Sequence, residues 1–443
     1  MQTPALAAHR FGYAETSLHA LQADPRGWVL AQLERPAPFD AGGLVDGAEA
    51  VRLTRELLRA ARKAQPGAAP GPERRRLRQI NAQSLQRRWQ HIVATETPVA
   101  ERWVQFWANH FCVAATKGTV QALVWPHENE AIRPLAFGRF AALLRASTLH
   151  PAMLLYLDNA QSIGPDSRAG RRRARGLNEN LARELLELHT LGVDGGYTQT
   201  DVTETARLLT GWTVRFGGDG SAGFEPALHE PGPKTILGQR YAEGPQALDQ
   251  LLEHLARHPA TARHLALKLA RHFVSDDPPP GLVEAVAAAF RASDGDLRAC
   301  AHALFSHEQA WRPDNRPKFK RPEELLLSAH RQLKLPIGPA GSAALQEAVQ
   351  AQQAMGQAPG RAPSPQGWPD RSEDWLSPDA LLKRVQWGAR FALTHADDAD
   401  ARRLAALSLG PDLSAGTRQQ IERAESGAQA LALWLASPEF QYR

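Results

Sequence analysis

Apolar residues recur every three or four positions along most of the chain, which is the spacing of an α-helix and not of a β-strand. Alanine and leucine dominate these segments and isoleucine is scarce, so residue preference also favours helices. One stretch differs, because glycine-rich turns separate short β-like pieces between Thr213 and Tyr241. The sequence predicts a mainly α fold, an irregular multi-helix globular bundle with a small β-hairpin insert near 213–241.

Composition excludes several classes of protein. The chain has 443 residues, of which 43% are hydrophobic and 22% charged, as in globular proteins and unlike disordered or collagen-like chains. Cys112 and Cys300 are too few and too far apart for a disulfide scaffold or a zinc ribbon. No run of 18 apolar residues predicts a membrane span, and residues 1–19 lack the pattern of an export signal. We therefore expect a cytoplasmic location by default, and a periplasmic one only if the protein is exported together with a partner.

The charge balance raises the question of nucleic-acid binding. Lys and Arg number 52 against 47 Asp and Glu, which gives a net charge of +5, and the isoelectric point is about 9.4. Arginines cluster at 74–76 and at 171–173 with Arg175, but exposed aromatic residues do not alternate with them. Solvated loop charge is the favoured interpretation, and nucleic acid is not expected among the partners. Retention on DNA or RNA with a steep salt dependence would support the opposite.

A histidine continues an aromatic stripe in the helix predicted to begin near Pro98. Val99, Trp103, Phe106, Trp107 and His110 share one face at helical spacing. A histidine there needs a hydrogen-bond partner or a metal, because an unpaired buried polar group costs about 1–3 kcal/mol. A core histidine bonded to a neighbouring group and a metal ligand both fit this pattern.

A second helix, predicted to begin near Asn178, has one apolar and one charged face. Arg183 lies four residues from both Glu179 and Glu187, so an ion-pair ladder alone explains the charges. Asn180, Glu184 and Glu187 would also form a strip able to ligate a cation if a second helix faced it. Both interpretations stay open. Gly192 is suited to end this helix, and Asp201 with Glu204 fits a capping box for the next one.

The string NENLARELLELHTLGVDGGYTQTDVTETARLLTGW, from Asn178 to Trp212, resembles the characteristic motif of the bacterial domain of unknown function 1800 family. Further matching segments occur in the family's order along the chain: ERWVQFWANHF at 101–111, HPAMLLYLDNAQS at 150–162, HEPGPKTILG at 229–238, KLARHFVSDDPPP at 268–280, the short KFKRP at 318–322 and SPQGWPDRSEDWLSP at 364–378.

Because the resemblance spans nearly all of 1–443, it implies one elaborated helical domain. We expect a first helical segment at 14–65, a core at 73–354, and a C-terminal loop and helices at 355–443. The loop at 364–378 carries two tryptophans, so we expect it to fold back over the core.

The resemblance also suggests candidate functional residues and a partner. The family's activity is undefined, and its genes commonly lie beside a second family of unknown function, number 1501, which looks sulfatase-like. Many members read FWHNHF where this chain has Ala108, and His189 falls where relatives carry Phe, which favours packing. The candidate cluster is Asn109, His110, Asp158, Asn180, Arg183, Glu184, Glu187, His229 and Lys234, the last as an anion contact.

Two functional hypotheses follow, and the sequence does not decide whether the protein is an enzyme. One is an interaction or maturation partner of an exported, sulfatase-like protein. The alternative is a metal-assisted hydrolase with a His/carboxylate site between helices, for which His110, Glu184 and His229 are the candidate ligands. Such ligands suit several divalent metals, and the sequence does not choose among them.

Overall fold

The computed structural model describes residues 3–15, 17–63, 69, 71–172, 176–398 and 400–443. The α-helices in these ranges are numbered in chain order: α1 Thr3–Leu6, α2 Pro25–Glu34, α3 Gly47–Lys63, α4 Pro72–Ala94, α5 Pro98–His110, α6 Val124–His127, α7 Phe140–Thr148, α8 Pro151–Tyr156, α9 Asn180–Glu184, α10 Gln199–Leu209, α11 Gln246–Arg257, α12 Pro259–Phe273, α13 Pro280–Ala292, α14 Leu297–Ser306, α15 Pro322–Gln332, α16 Ala343–Ala354, α17 Pro378–His395, α18 Ala401–Leu409, α19 Ala415–Glu422, α20 Gly427–Ala436 and α21 Pro438–Gln441. The mainly α fold is confirmed.

Local sequence explains where many helices begin. Proline occupies the first helical position of α5, α12, α13 and α15, where its missing N–H is no loss. The capping box of α10 differs from the predicted one. Thr198 and Asp201 cap each other's backbone, so Asp201 is the partner inside the helix and the predicted Asp201–Glu204 pair is wrong. Gly192 has φ +83° and directly follows Leu191, the last residue of the helical segment that continues from α9, so it ends that segment as predicted.

The predicted β insert consists of two antiparallel pairs. Strand β1 (Trp212–Val214) pairs with β2 (Ala222–Phe224), and β3 (Lys234–Ile236) pairs with β4 (Gln239–Tyr241). The first pair packs against α8, and the second packs against α10. The insert therefore places the loop that carries His229 beside the helix that follows Gly192.

Two apolar clusters form the core, and α4 contributes to both. Leu77 and Ile80, near its start, join the larger cluster, which is built mainly from α5 to α14. Leu85 and Trp89 join the smaller cluster, built mainly from α15 to α21. In the described part of the chain, no helix is long and apolar enough to cross a membrane.

Helix α5 is buried on nearly all sides, so its charged residues are paired inside the protein. Arg102 and Glu324 form a buried ion pair, and Arg321 and Arg443 lie 3.5 and 3.2 Å from the same carboxylate. Although burial raises the pKa of Glu324, these three guanidinium groups hold that pKa well below its usual value. The carboxylate thereby joins α5, α15 and the end of the described chain.

The tryptophan loop, 364–378, folds back onto the core as predicted. Asn109 holds its backbone, because the side chain donates to the carbonyl of Trp368 over 3.0 Å and accepts from its N–H over 2.8 Å. His272 and Asp370 form a second link of 2.9 Å. Of the arginine clusters, Arg171 and Arg172 lie in an exposed short turn, and Arg173 and Arg175 lie outside the described residues.

Candidate functional site

The helix of the longest motif is not an α-helix throughout. It runs as α9 to Glu184 and continues as a π-helix over Leu185–Leu191, whose wider turns carry both apolar and charged residues. Its start is one or two residues later than predicted, and Asn178 accepts a hydrogen bond from the N–H of Asn180 over 3.0 Å. Asn180 is exposed.

The predicted charged strip is only partly an ion-pair ladder. Arg183 lies 3.3 Å from Glu179 and also donates to Gln199 over 3.0 Å. Glu187 instead accepts a hydrogen bond from the Tyr197 hydroxyl over 3.0 Å. Glu184 has no hydrogen bond to another described side chain, and burial together with the nearby Glu187 charge raises its pKa.

His110 lies in a cluster of histidines, defined here as His110, His189 and His264. The Nε2 of His110 donates to the carbonyl of His189 over 3.2 Å, and its ring centroid lies 6.2 Å from that of His189 and 6.4 Å from that of His264. Its Nδ1, and both ring nitrogens of His189, are buried without a hydrogen-bond partner in the described structure. His110 is therefore a core histidine with a backbone partner, and one ring nitrogen remains unpaired.

The histidine cluster is electrostatically unusual because Lys268 lies beside it. Burial and the Lys268 charge lower the pKa of His189 to about 3 and that of His264 to about 4. Burial also lowers the pKa of Lys268 to about 8. At neutral pH the cluster is thus a set of neutral imidazoles beside an amine that is still mostly protonated.

His229 and Lys234 form a second group in the loop between the two β pairs. The Nδ1 of His229 donates to the carbonyl of Thr210 over 2.7 Å, which leaves Nε2 to accept from Lys234 Nζ over 3.3 Å. Lys234 also donates to the carbonyls of Glu230 and Gly232, the latter over 2.7 Å. Only 2% of Lys234 is exposed, so its ammonium stabilises the loop from inside.

Asp158 has a separate partner. It takes a left-handed conformation with φ +60° and pairs with Lys117 over 2.7 Å, and the same ammonium donates to the carbonyl of Tyr156. This carboxylate therefore fixes the end of α8.

The structure does not join the three candidate metal ligands. No hydrogen bond or ion pair between described residues links His110, Glu184 and His229. Across residues 3–15, 17–63, 69, 71–172, 176–398 and 400–443, no group of three or more His, Cys, Asp or Glu is placed to hold a metal ion.

A cavity that the sequence analysis did not predict lies between α4 and α16. This α4–α16 groove has a volume of about 760 Å³. Its floor is apolar and includes Leu77, Leu85, Val124, Leu345 and Val349, with Trp125 at one end. Side-chain amides form its walls: Gln79, Asn81, Gln83, Gln121, Gln346, Gln350 and Gln353.

The charges of the groove have one sign. Arg78 and Arg361 line it, and the described lining residues include no Asp or Glu. Both arginines are exposed, and neither makes an ion pair with another described residue. The groove therefore offers an apolar floor, hydrogen-bonding walls and two free positive charges.

A smaller polar pocket of about 80 Å³ lies beside the groove, and Val124, Trp125, Pro359 and Gly360 line both cavities. Polar side chains surround it: Arg88, Gln105, Asn109, Glu128, Arg321, Glu323, Gln352 and Gln357. Asn109 is the one member of the predicted cluster that lines either cavity.

A family model described as "Protein of unknown function (DUF1800)" matches residues 6–442. The chain belongs to this family. The match covers essentially the whole described structure, from the first helices to the end of α21. No curated protein and no solved structure matches the chain significantly.

Proposed function

We propose that this DUF1800 protein is a binding protein. Its α4–α16 groove would take an apolar segment of a partner protein that has acidic residues on its flanks. The observation that carries this proposal is the lining of the groove. Its aliphatic floor suits apolar side chains, and its amides can donate to and accept from a peptide backbone. Protein segments commonly dock in grooves of this kind.

Charge and floor chemistry decide the class of occupant. Arg78 and Arg361 would attract acidic residues, and no acidic lining residue of the described chain opposes them. A glycan would need aromatic platforms, whereas this floor is mostly aliphatic and has the single tryptophan Trp125. An apolar peptide segment with acidic flanks therefore fits better than a sugar chain.

The partner we propose is the sulfatase-like protein of family 1501, because genes of the two families commonly lie together. Cytoplasm remains the proposed compartment, with the periplasm if the two proteins are exported together. The metal-assisted hydrolase stays a second hypothesis, with imidazole and carboxylate ligands. Elemental analysis of the native protein and of the His110→Ala and Glu184→Ala variants tests this hypothesis. It is rejected if the native protein binds no metal and the metal content of neither variant differs from the native value.

The groove is tested with overlapping synthetic peptides that cover the sulfatase-like neighbour. We expect the native protein to bind an apolar peptide with acidic flanks, and Val349→Glu to weaken binding by at least about ten-fold because it places a negative charge on the apolar floor. Arg361 is exposed, so the Arg361→Glu variant should remain folded. It should also bind the peptide more weakly, because it replaces a positive charge of the groove with a negative one.

Val193→Glu is the matched control, because Val193 is 69% exposed and lies outside the groove. We expect it to bind like the native protein. The proposal is wrong if no peptide binds, or if the groove variants and the control bind equally well.

A further inference from the structure

The polar pocket beside the groove holds one side chain whose hydrogen-bonding capacity is unused. Gln352, on α16, is only 1% exposed, and its Oε1 has no hydrogen-bond partner in the described structure. A buried amide left unpaired costs about 1–3 kcal/mol. The remaining question is which chemical group would pair with it.

Most other polar groups of the pocket are already paired. Arg88 contacts Glu128 over 3.0 Å and Glu323 over 2.6 Å. Asn109 uses both amide atoms on the backbone of Trp368, and Gln357 accepts from the N–H of Glu323 over 2.8 Å. Among the described residues that line the pocket, these contacts leave Gln352 as the one with a buried side-chain acceptor that has no partner.

A free donor belongs to the same lining. Arg321 is 7% exposed and lines the pocket, and its Nε has no hydrogen-bond partner among the described residues. One of its terminal nitrogens lies 3.5 Å from Glu324, a carboxylate that it shares with Arg102 and Arg443. The residues lining the pocket therefore include one unpaired acceptor and one unpaired donor, each with less than 1 Å² of accessible surface, so a ligand reaches them only when the side chains of Gln352 and Arg321 turn towards it.

Charged groups fit this pocket poorly. A carboxylate would meet the acceptors of Glu128, Glu323 and Gln352, and an ammonium would meet the guanidinium groups of Arg88 and Arg321. A neutral group with a donor and an acceptor can satisfy both free atoms. The volume of about 80 Å³ exceeds the roughly 10–15 Å³ that one water needs, so a group larger than a single hydroxyl fits.

A primary carboxamide meets these conditions. Its N–H can donate to Gln352 and its oxygen can accept from Arg321. The same group also pairs if the amide of Gln352 is turned over, because a carboxamide both donates and accepts. We propose that the pocket takes the carboxamide of an Asn or Gln side chain that belongs to the segment bound in the groove, an inference that rests on the proposed function.

The first experiment uses propionamide alone, soaked into crystals of the full chain or titrated against its tryptophan emission, since Trp125 and Trp368 line the pocket. We expect propionamide to occupy the pocket and contact Gln352. Propionate and propylamine, which match its size but carry charge, should not bind there. Ordered waters only, or equal binding of the charged probes, would overturn the proposal.

The second experiment uses the peptide found for the groove. Gln352→Met keeps the approximate shape of the side chain, so it should remain folded, with no fall in melting temperature, because it removes an unpaired polar group. We expect Gln352→Met to weaken binding of the peptide by about three- to ten-fold. It should have no effect on binding once the peptide's own Asn or Gln is changed to Ala.

The two proposals fail in different ways. If a peptide binds the groove but neither Gln352→Met nor replacement of its Asn and Gln weakens it, the carboxamide proposal is wrong and the groove proposal stands. If no peptide binds, the groove proposal is wrong, and the carboxamide proposal, which needs a bound segment, is overturned with it.

Discussion

Lys234 shows how one buried charge can hold a loop. Its ammonium donates to two backbone carbonyls and to His229, and burial lowers its pKa. We predict that Lys234→Met lowers the free energy of unfolding by about 1–3 kcal/mol, because it leaves these acceptors without their donor. Urea denaturation monitored by circular dichroism measures the change.

Lys383→Met provides the control. Lys383 makes an exposed ion pair with Asp379 over 2.6 Å, and exposed pairs contribute about 0–1 kcal/mol. A loss at Lys234 no larger than the loss at Lys383 would contradict the structural role given to the buried lysine.

His189 makes stability depend on pH. Its pKa is about 3 in the folded protein because burial disfavours the charged ring, against 6.5 when exposed. The unfolded chain therefore binds more protons below pH 6.5, and stability falls as the pH falls from 6.5 towards 3. We predict that His189→Phe reduces this slope by up to about 1.4 kcal/mol per pH unit. Urea denaturation at a series of pH values measures it.

The internal control for this prediction is the range between pH 7 and 8. The folded protein does not protonate this histidine there, and the unfolded protein does so to about a quarter at pH 7 and hardly at pH 8, so the native and His189→Phe slopes should differ by at most about 0.3 kcal/mol per pH unit. Equal slopes between pH 4 and 6.5 would show that His189 does not resist protonation.

The tryptophan loop approaches α5 most closely at Gly367. Gly367 has φ +84°, and a Cβ there would lie 2.5 Å from the carbonyl oxygen of Asn109. We predict that Gly367→Ala lifts the loop, shifts tryptophan emission to the red and exposes Arg371 to trypsin. Gly356→Ala is matched, because Gly356 has φ +98° but nothing within 4 Å of its Cβ. It should pay only the backbone strain of about 1–2 kcal/mol.

Sequence patterns predicted individual elements better than they predicted the cavities. The stripe ending at His110 is buried as its spacing indicates, because helical periodicity is a local property. The π-helix after Glu184 escaped prediction because the pattern of leucines fits an α-helix almost as well. The groove escaped prediction because Leu77 and Val349 are distant in sequence, and the packing of α15 against both α4 and α16 brings them to one cavity.

The candidate site residues were predicted only as members of separate motifs, for a related reason. Each motif is recognised within one segment of the chain. The sequence therefore identified His110, Glu184 and His229 as candidates but gave no distances between their side chains. In the described part of the chain, His110 bonds to a backbone carbonyl, Glu184 has no side-chain hydrogen-bond partner, and His229 bonds to Thr210 and Lys234. Gln352 carried no signal, since a glutamine among glutamines in α16 looks like an exposed residue.

At the scale of the whole molecule, we propose that the chain is one domain. The buried carboxylate of Glu324 links α5 of the larger apolar cluster with α15 of the smaller one, and α4 packs into both. We predict a single cooperative unfolding transition whose calorimetric and van't Hoff enthalpies agree. Differential scanning calorimetry measures both.

A variant of Glu324 tests whether its carboxylate holds the two apolar clusters together. Glu324→Gln should remove the charge that balances Arg102, Arg321 and Arg443, so it should lower the melting temperature of the whole protein. Two resolved transitions in the native protein would contradict the one-domain proposal.

The π-helix at Leu185–Leu191 has a consequence for comparing this chain with its relatives. A π-helical turn holds about one residue more than an α-helical turn, so deleting one residue within it would restore α-helical winding and leave the helix beyond it facing almost the same way. Glu184 would keep its place, and the residues after the deletion would keep their buried face towards the interior. A one-residue gap at this point in an aligned relative would therefore be compatible with the same packing on both sides of the gap.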